Sequence, residues 1–256
     1  MVFAVQQDRL QGDRLPPLRQ RQGAARAPRS GFWRLIRWCA VAALAIVLAP
    51  YAIAPFYRSI DPVSTPMLWR WATGQRVQRI VVPLNRIAPA LPLTVILAED
   101  AGFCRNRGID PGAIREALQQ SDDDLADSRG ASTVTQQVAK NLFLWPGHSV
   151  VRKVLELPLA LWLNLVLPKR RVIEIYLNIA EWGPNGEFGA EAGSRWAFGI
   201  PARDLSPVQA AELTAILPNP IERSARRPSL LIRRLAALYV RRAATYPGHD
   251  ACVYAH

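Results

Sequence analysis

Lysine is nearly missing from this chain: 32 residues are Lys or Arg, yet the lysines are Lys140, Lys153 and Lys169 alone. Histidine and cysteine are equally sparse at three each. His148, His249 and His256 are too scattered for zinc-ligand spacing with the cysteines, which excludes a Cys/His zinc module. Cys39 lies in an apolar run, so one disulfide at most is available, between Cys104 and Cys252, and the sequence leaves its formation open. No internal repeat appears. Acidic residues are also few, 20 against the 32 cations, giving a net charge of +12. That balance calls for an anionic partner: nucleic acid, a phosphate-bearing substrate or an acidic membrane surface.

Where the charge sits decides among these. Residues 1–37 carry Arg9, Arg14, Arg19, Arg21, Arg26, Arg29, Arg34 and Arg37 against Asp8 and Asp13, a pattern that predicts a disordered basic tail. Residues 38–57, WCAVAALAIVLAPYAIAPFY, contain no charge and as a helix would span roughly 30 Å, the thickness of a bilayer core. Pro50 and Pro55 predict a kink at its far end. The basic region is too long, and the apolar run too extended, for a cleavable signal peptide. By the positive-inside rule the tail stays in the cytoplasm and everything after Arg58 lies outside it. Much of the positive charge is then a topology signal, and no nucleic-acid partner is expected. The 256 residues suffice for one well-buried domain plus this appendage.

The chemistry concentrates in two stretches. From Arg129 to Glu156 the chain reads RGASTVTQQVAKNLFLWPGHSVVRKVLE. Thr133 and Gln136 have capping-box spacing, which predicts a helix start, and on that helix Gln136, Gln137, Lys140 and Asn141 share a polar side while Val134, Val138 and Leu142 face a core. A second helix starts near Ser149 and sets Arg152 and Lys153 four and three residues ahead of Glu156. Taken alone, these pairs read equally as surface ion pairs contributing about 0.2–0.5 kcal/mol. The three lysines tip the reading toward a phosphate, which a compact ammonium suits. In the other stretch, LPLTVILAED, Leu93, Ile96 and Leu97 mark the buried face of a helix that ends on Glu99. A carboxylate emerging from an apolar helix is a candidate for a raised pKa and a general acid or base role. Asp110 before Pro111 reads as a helix cap. Thr65-Pro66 reads as another helix start, with Trp69 and Trp71 divided between headgroup contact and ordinary packing. VQRIVVPLNRIAPALP reads as an extended linker, and VVRKVLELPLALWLNLVL as an apolar helix kinked at Pro158.

Glu99, Asp100, Phe103, Gly108 and Asp110, followed by GASTVTQQVAKNLFL, RKVLE, IEIYLNIAEWG and AELTAILPNP, resemble the peptidoglycan glycosyltransferases, specifically the monofunctional membrane type. The resemblance covers roughly residues 60 to 225. It implies a mainly α, lysozyme-like glycosyltransferase domain with a small membrane-proximal lobe, preceded by one transmembrane helix. The divisions it implies are a basic cytoplasmic tail over 1–37, a transmembrane helix over 38–57, the glycosyltransferase domain over 58–225 and a C-terminal helical tail over 226–256. It implies polymerisation of lipid II into glycan strands by inverting transfer onto the acceptor 4-hydroxyl. Glu99 corresponds to the general base and Glu156 to a second carboxylate that helps organise the diphosphate, with a divalent metal such as Mg2+ as one option and no organic cofactor. Lys140, Arg152 and Lys153 match cations near the diphosphate, while Ser132 and Gln137 match residues that orient the base and line the cleft. The implied setting is the bacterial inner membrane, with separate transpeptidases as partners.

The chain departs from the family pattern twice. Asn106 stands where a His is usual, and His148 where an Arg is usual. His148 keeps a positive charge only below about 6.5, so donor binding is expected to depend on pH. No Ser-x-x-Lys or Lys-Thr-Gly motif is present, so the chain carries no transpeptidase signature. Two other readings stay open: a peptidoglycan-cleaving enzyme of similar fold using Glu99 as acid, and a non-catalytic membrane-anchored wall partner. The cation-rich stretch speaks against the first, because cleaving a finished glycan needs no diphosphate site. Asn178 and Glu181 read as structural, and the arginines after residue 226 as solvated cations on an amphipathic helix.

Overall fold

A computed structural model of the chain describes residues 30–120, 132–147 and 149–255. The basic tail lies almost wholly outside these residues, and so does His148. The chain divides into two units at Ala45/Ile46. Helix α1, Ser30–Ile53, runs through Pro50 without a break and passes into a 3₁₀ turn at Ala54–Arg58 with Pro55 in its first turn. Pro is tolerated at that place because the first N–H groups of a helix have no partner to lose. The stretch Gly31–Arg58 is long and apolar enough to cross a membrane.

The compact unit that starts at Ile46 is nearly all helix: α2 Thr65–Ala72, α3 Ala90–Glu99, α4 Pro111–Gln120, α5 Val134–Phe143, α6 Val150–Val166, α7 Lys169–Ile179, α8 Ala190–Phe198, α9 Pro207–Ile216, α10 Leu230–Thr245 and α11 Ala251–Tyr254. Helix starts fall where cap chemistry predicts. Both capping boxes form, Thr133 with Gln136 and Ser206 with Gln209, and Ser149 caps α6. Asp110 Oδ1 accepts from the N–H of Gly112 at 2.9 Å and of Ala113 at 3.0 Å, opening α4. Helix α2 starts at Thr65, as expected, with Ser64 as its cap. Thr65 donates to the carbonyl of Leu144 at 2.6 Å and ties α2 to the end of α5.

Two packing groups position the site. In one, α3 is covered by α9 and α10; in the other, α5 lies against α6 and α7. Helix α3 is buried nearly all round, with Leu91, Val95 and Ile96 at 0% exposure, whereas a single buried face was expected. Thr94 and Thr214 meet at 2.9 Å where α3 crosses α9. The C-terminal segment, expected as a helical tail, is helical and packs on this group through α10, while α11 reaches α7. The Cys104–Cys252 disulfide, which the sequence left open, is formed.

Three other expectations change. The presumed linker is part of the core: Leu84 and Ile87 are buried, Gln78–Arg79 (β1) pairs in parallel with Glu187–Phe188 (β2), and the Asn178 amide holds Val82 through both its N–H and its C=O at 2.9 Å. That pairing makes Asn178 structural, as expected, and Glu181 likewise, through its 2.5 Å ion pair with Arg70. Helix α6 continues through Pro158 to Val166. On α2, Leu68, Trp69 and Trp71 are each more than half exposed, so ordinary packing does not account for them.

Candidate active site

Glu99 is the last residue of α3, where the apolar helix gives out at the edge of a cleft of about 380 Å³ that Ser132, Thr133, Asp110, Arg105 and Arg242 also line. Its Oε2 accepts from Gln137 Nε2 at 2.9 Å, and Gln137 Oε1 in turn accepts from the phenol of Tyr176 at 3.1 Å. An ionised carboxylate can only accept, so the amide must turn its NH2 to Glu99, which leaves its oxygen for the phenol. Tyr176, at 2% exposure, thereby fixes Gln137 from behind. Burial raises the Glu99 carboxyl above its ordinary 4.5, against the opposing pull of the Gln137 hydrogen bond, Lys140 and Arg223. The desolvation cost of the charged form outweighs its partners, which makes Glu99 a better proton acceptor than a solvated carboxylate.

Glu156 stands about two turns into α6 beside different neighbours. Its Oε1 pairs with Arg152 Nη1 and its Oε2 lies 3.2 Å from Lys153 Nζ. Lys153 also donates to the Ser132 hydroxyl, which joins α6 to the residue before the cap of α5. Glu156 is 2% exposed and Arg152 6%, so these are buried pairs and not the solvated helix-surface pairs that spacing alone allows. Lys140 lies within the field of both carboxylates. Burial pushes its amine down, Glu156 and Glu99 push it up, and Arg152 and Lys153 push it down again.

A third group fixes the frame behind Glu99. Asn106 Nδ2 donates to both oxygens of Asp100, at 2.8 and 3.1 Å, and Asp100 Oδ2 accepts from the first N–H of α5, Val134, at 3.1 Å. Asn106 Oδ1 accepts from Lys169 Nζ at 3.0 Å and from Gly108 N–H at 3.1 Å. Asn106 is thus a two-ended amide bridge, and its lack of a titrating proton costs this network nothing. Gly108 has φ +93°, and a Cβ there would stand 2.5 Å from the carbonyl of Ala160, so only glycine lets the loop cross α6 this closely. Lys169 is 4.6 Å above the Phe103 ring, and burial lowers its pKa to about 8 against the pull of Asp100.

Of the residues singled out in the sequence, Gln137 meets Glu99 directly, Ser132 shares the lining of the cleft with Glu99, and Arg152, Lys153 and Glu156 form one ion-paired set whose charges, together with that of Glu99, act on Lys140. Gln137 touches Glu99 as expected; Ser132 lines the cleft but answers to Lys153. Gln136 is fully buried in its capping box and takes no part in the polar face expected of it. Lys169 leaves the lysine set for the Asn106 bridge. Tyr176 and Arg223 escaped the sequence reading, and Asp100 entered it only as part of the motif: Tyr176 sits at a core position of α7, where periodicity marks it as packing, and its hydroxyl partner is 39 residues away.

These residues do not fit a protein-held divalent metal. Among the described residues no three acidic, His or Cys side chains converge to hold one. Each oxygen of Glu156 already faces a cation, whereas Mg2+ wants one or two free carboxylates beside substrate oxygens.

Comparison with known proteins gives the family. The family model described as Transglycosylase matches residues 67–242. A protein of Rhodopseudomonas palustris (strain HaA2) named biosynthetic peptidoglycan transglycosylase is 56% identical over 210 residues, 82% of this chain and 92% of that relative. Proteins of the same name from Nitrobacter hamburgensis and Agrobacterium fabrum are 52% identical over 210 residues and 47% over 212, covering 82% of this chain and 92% and 93% of their own. With the matched region spanning Glu99, Gln137, Lys140 and Glu156, the chain belongs to the transglycosylase family.

Proposed function

We propose that this protein is a peptidoglycan glycosyltransferase that polymerises lipid II, with Glu99 as base and the Lys140, Arg152 and Lys153 cluster as the diphosphate site. The observation that carries this reading is the contrast of two carboxylates in one site, Glu99 held by a neutral amide and Glu156 held by cations. Glu99 takes the proton of the acceptor 4-hydroxyl as that oxygen attacks the donor's anomeric carbon. The new C–O bond forms as the bond to the phosphate oxygen breaks, the configuration inverts, and undecaprenyl diphosphate leaves with the electron pair. The negative charge that develops on it meets cations already in place, which is worth more here than in water because no reorganisation is needed. Lys140 is suited to the nearest contact, since among the described residues it is the cation of this set without an ion pair. Glu156 holds Arg152 and Lys153 in register. No step passes through a metal.

The hydrolase reading has one point in its favour, the raised Glu99 carboxyl, which would serve an acid as well as a base. The cation cluster has no task in that reaction. The long apolar helix α1 suggests membrane anchoring, and we place it in the bacterial inner membrane with the basic tail cytoplasmic and the catalytic unit outside. The exposed Trp69 and Trp71 of α2 then sit at headgroup level. Without a transpeptidase motif the chain leaves cross-linking to separate enzymes.

The test is incubation of the detergent-solubilised full chain with labelled lipid II. Long glycan strands and free undecaprenyl diphosphate are expected. Muropeptide release from intact walls without polymer from lipid II would establish the hydrolase, and neither product would leave a non-catalytic partner.

A further inference from the structure

Two cations of the cleft have no part in the reaction above. Arg105, in the loop after Glu99, and Arg242, near the end of α10, line the same cavity as Glu99 and Ser132. Both are exposed. Neither has an acidic side chain at ion-pair distance among the described residues, in contrast to Arg152 and Lys153. Tyr239, one turn before Arg242 on α10, lies within the field of Glu99, Arg242 and Arg223. The two walls are also joined covalently: Cys104 adjoins Arg105, and its disulfide partner Cys252 follows on the chain segment that leaves Arg242.

Local charge selects what these arginines can hold. Glu99, Asp100 and Asp110 line the same cavity. A diphosphate, with two or more negative charges, would be repelled by that acidic wall, while a single carboxylate meets less repulsion and matches the planar fork of arginine. Lipid II offers carboxylates on its peptide, next to the sugar whose 4-hydroxyl must reach Glu99. We propose that Arg105 and Arg242 form a recognition pair for a carboxylate on the peptide of the acceptor lipid II. The proposal rests on the glycosyltransferase reading and assigns the pair to choosing and seating the acceptor, not to the chemical step.

The test is steady-state polymerisation by the full chain with two substrates, lipid II with free peptide carboxylates and lipid II with those carboxylates amidated. Arg105→Gln and Arg242→Gln are compared with wild type and with Arg241→Gln, a charge-matched change on α10 outside the cleft. On the free-carboxylate substrate each cleft variant should raise KM by about two- to fivefold, as loss of one exposed charge contact implies. On the amidated substrate wild type should start with the higher KM, and the two substitutions should add nothing. Equal rises on both substrates would overturn the proposal, because the pair would then be sensing the diphosphate or the membrane. No rise on either, or a rise of the same size in Arg241→Gln, would overturn it too. A wild-type chain that makes no polymer refutes the glycosyltransferase reading itself and this inference with it, whereas polymer with indifferent arginines refutes the inference alone.

Discussion

Glu156 is sealed at 2% exposure between two cations, while Glu99 opens on the cleft and takes its hydrogen bond from a neutral amide. The two carboxylates sit on helices of different packing groups, so the fold can give each its own surroundings. A buried acid with a cation against each oxygen becomes a clamp. A desolvated acid with weaker partners holds its proton longer and becomes a base. One residue type therefore performs two tasks, and the neighbours decide which.

The sharpest way to break this comparison is to remove the charge at each site in turn. Glu99→Gln should lower polymerisation by about 10²–10⁴-fold, the usual worth of a positioned base, while raising the melting temperature at neutral pH. The sign follows from linkage: a carboxyl raised on folding stabilises the protein below its unfolded value of 4.5, and that contribution is lost as pH rises through the higher folded value. An uncharged Gln escapes the loss. Glu156→Gln should do the opposite to stability, costing about 3 kcal/mol in denaturant melts, because it leaves Arg152 buried without its counter-charge. Equal shifts of the same sign in the two variants would mean that the carboxylates do not differ as described.

The covalent tie comes next. The Cys104–Cys252 bond closes a loop of 148 residues, and replacing both cysteines by serine should cost about 2–4 kcal/mol, read as a lower melting temperature under oxidising conditions. Glu156, held by α6 and its ion pairs, should keep its place in that variant, so the damage should appear first at the Glu99 wall, as a higher KM.

Tyr176→Phe is the smallest change and the most discriminating. Deleting one hydroxyl that orients Gln137 should slow turnover about five- to tenfold, in keeping with roughly 1 kcal/mol for a hydrogen bond. It should also move the acid limb of the rate profile to higher pH, since a loosened Gln137 supports the Glu99 charge less well. A merely structural tyrosine would lower the melting temperature and leave that limb where it was.

Much of the site was legible in the sequence because helix starts and i,i+3 or i,i+4 spacing are local. Thr133, Ser149, Asp110 and the Arg152, Lys153, Glu156 set could be placed from a few neighbouring residues, and each is found as placed. Whether that set was solvated or sealed depends on what covers α6, which local spacing does not encode. Tyr176 reaches Gln137, and Arg242 the cleft, only through the packing of α7 on α5 and of α10 on α3, contacts between segments far apart in the chain. Asn106 read in the sequence only as a residue that cannot titrate, a departure from the family's usual His. Its value lies in offering a donor and an acceptor at once, to Asp100 and to Lys169. The linker around Val82 was misread because prolines suggested extension, while the strand partner and the Asn178 amide that bury it come about a hundred residues later.

The measurement that bears most directly on the two-carboxylate account is the turnover rate of lipid II polymerisation as a function of pH in the wild type. The account predicts a rate that rises with pH through a single ionisation above 4.5, the ordinary value for glutamate, and that limb should vanish with the activity in Glu99→Gln. A limb at or below the ordinary value, or one that survives in Glu99→Gln, would contradict it.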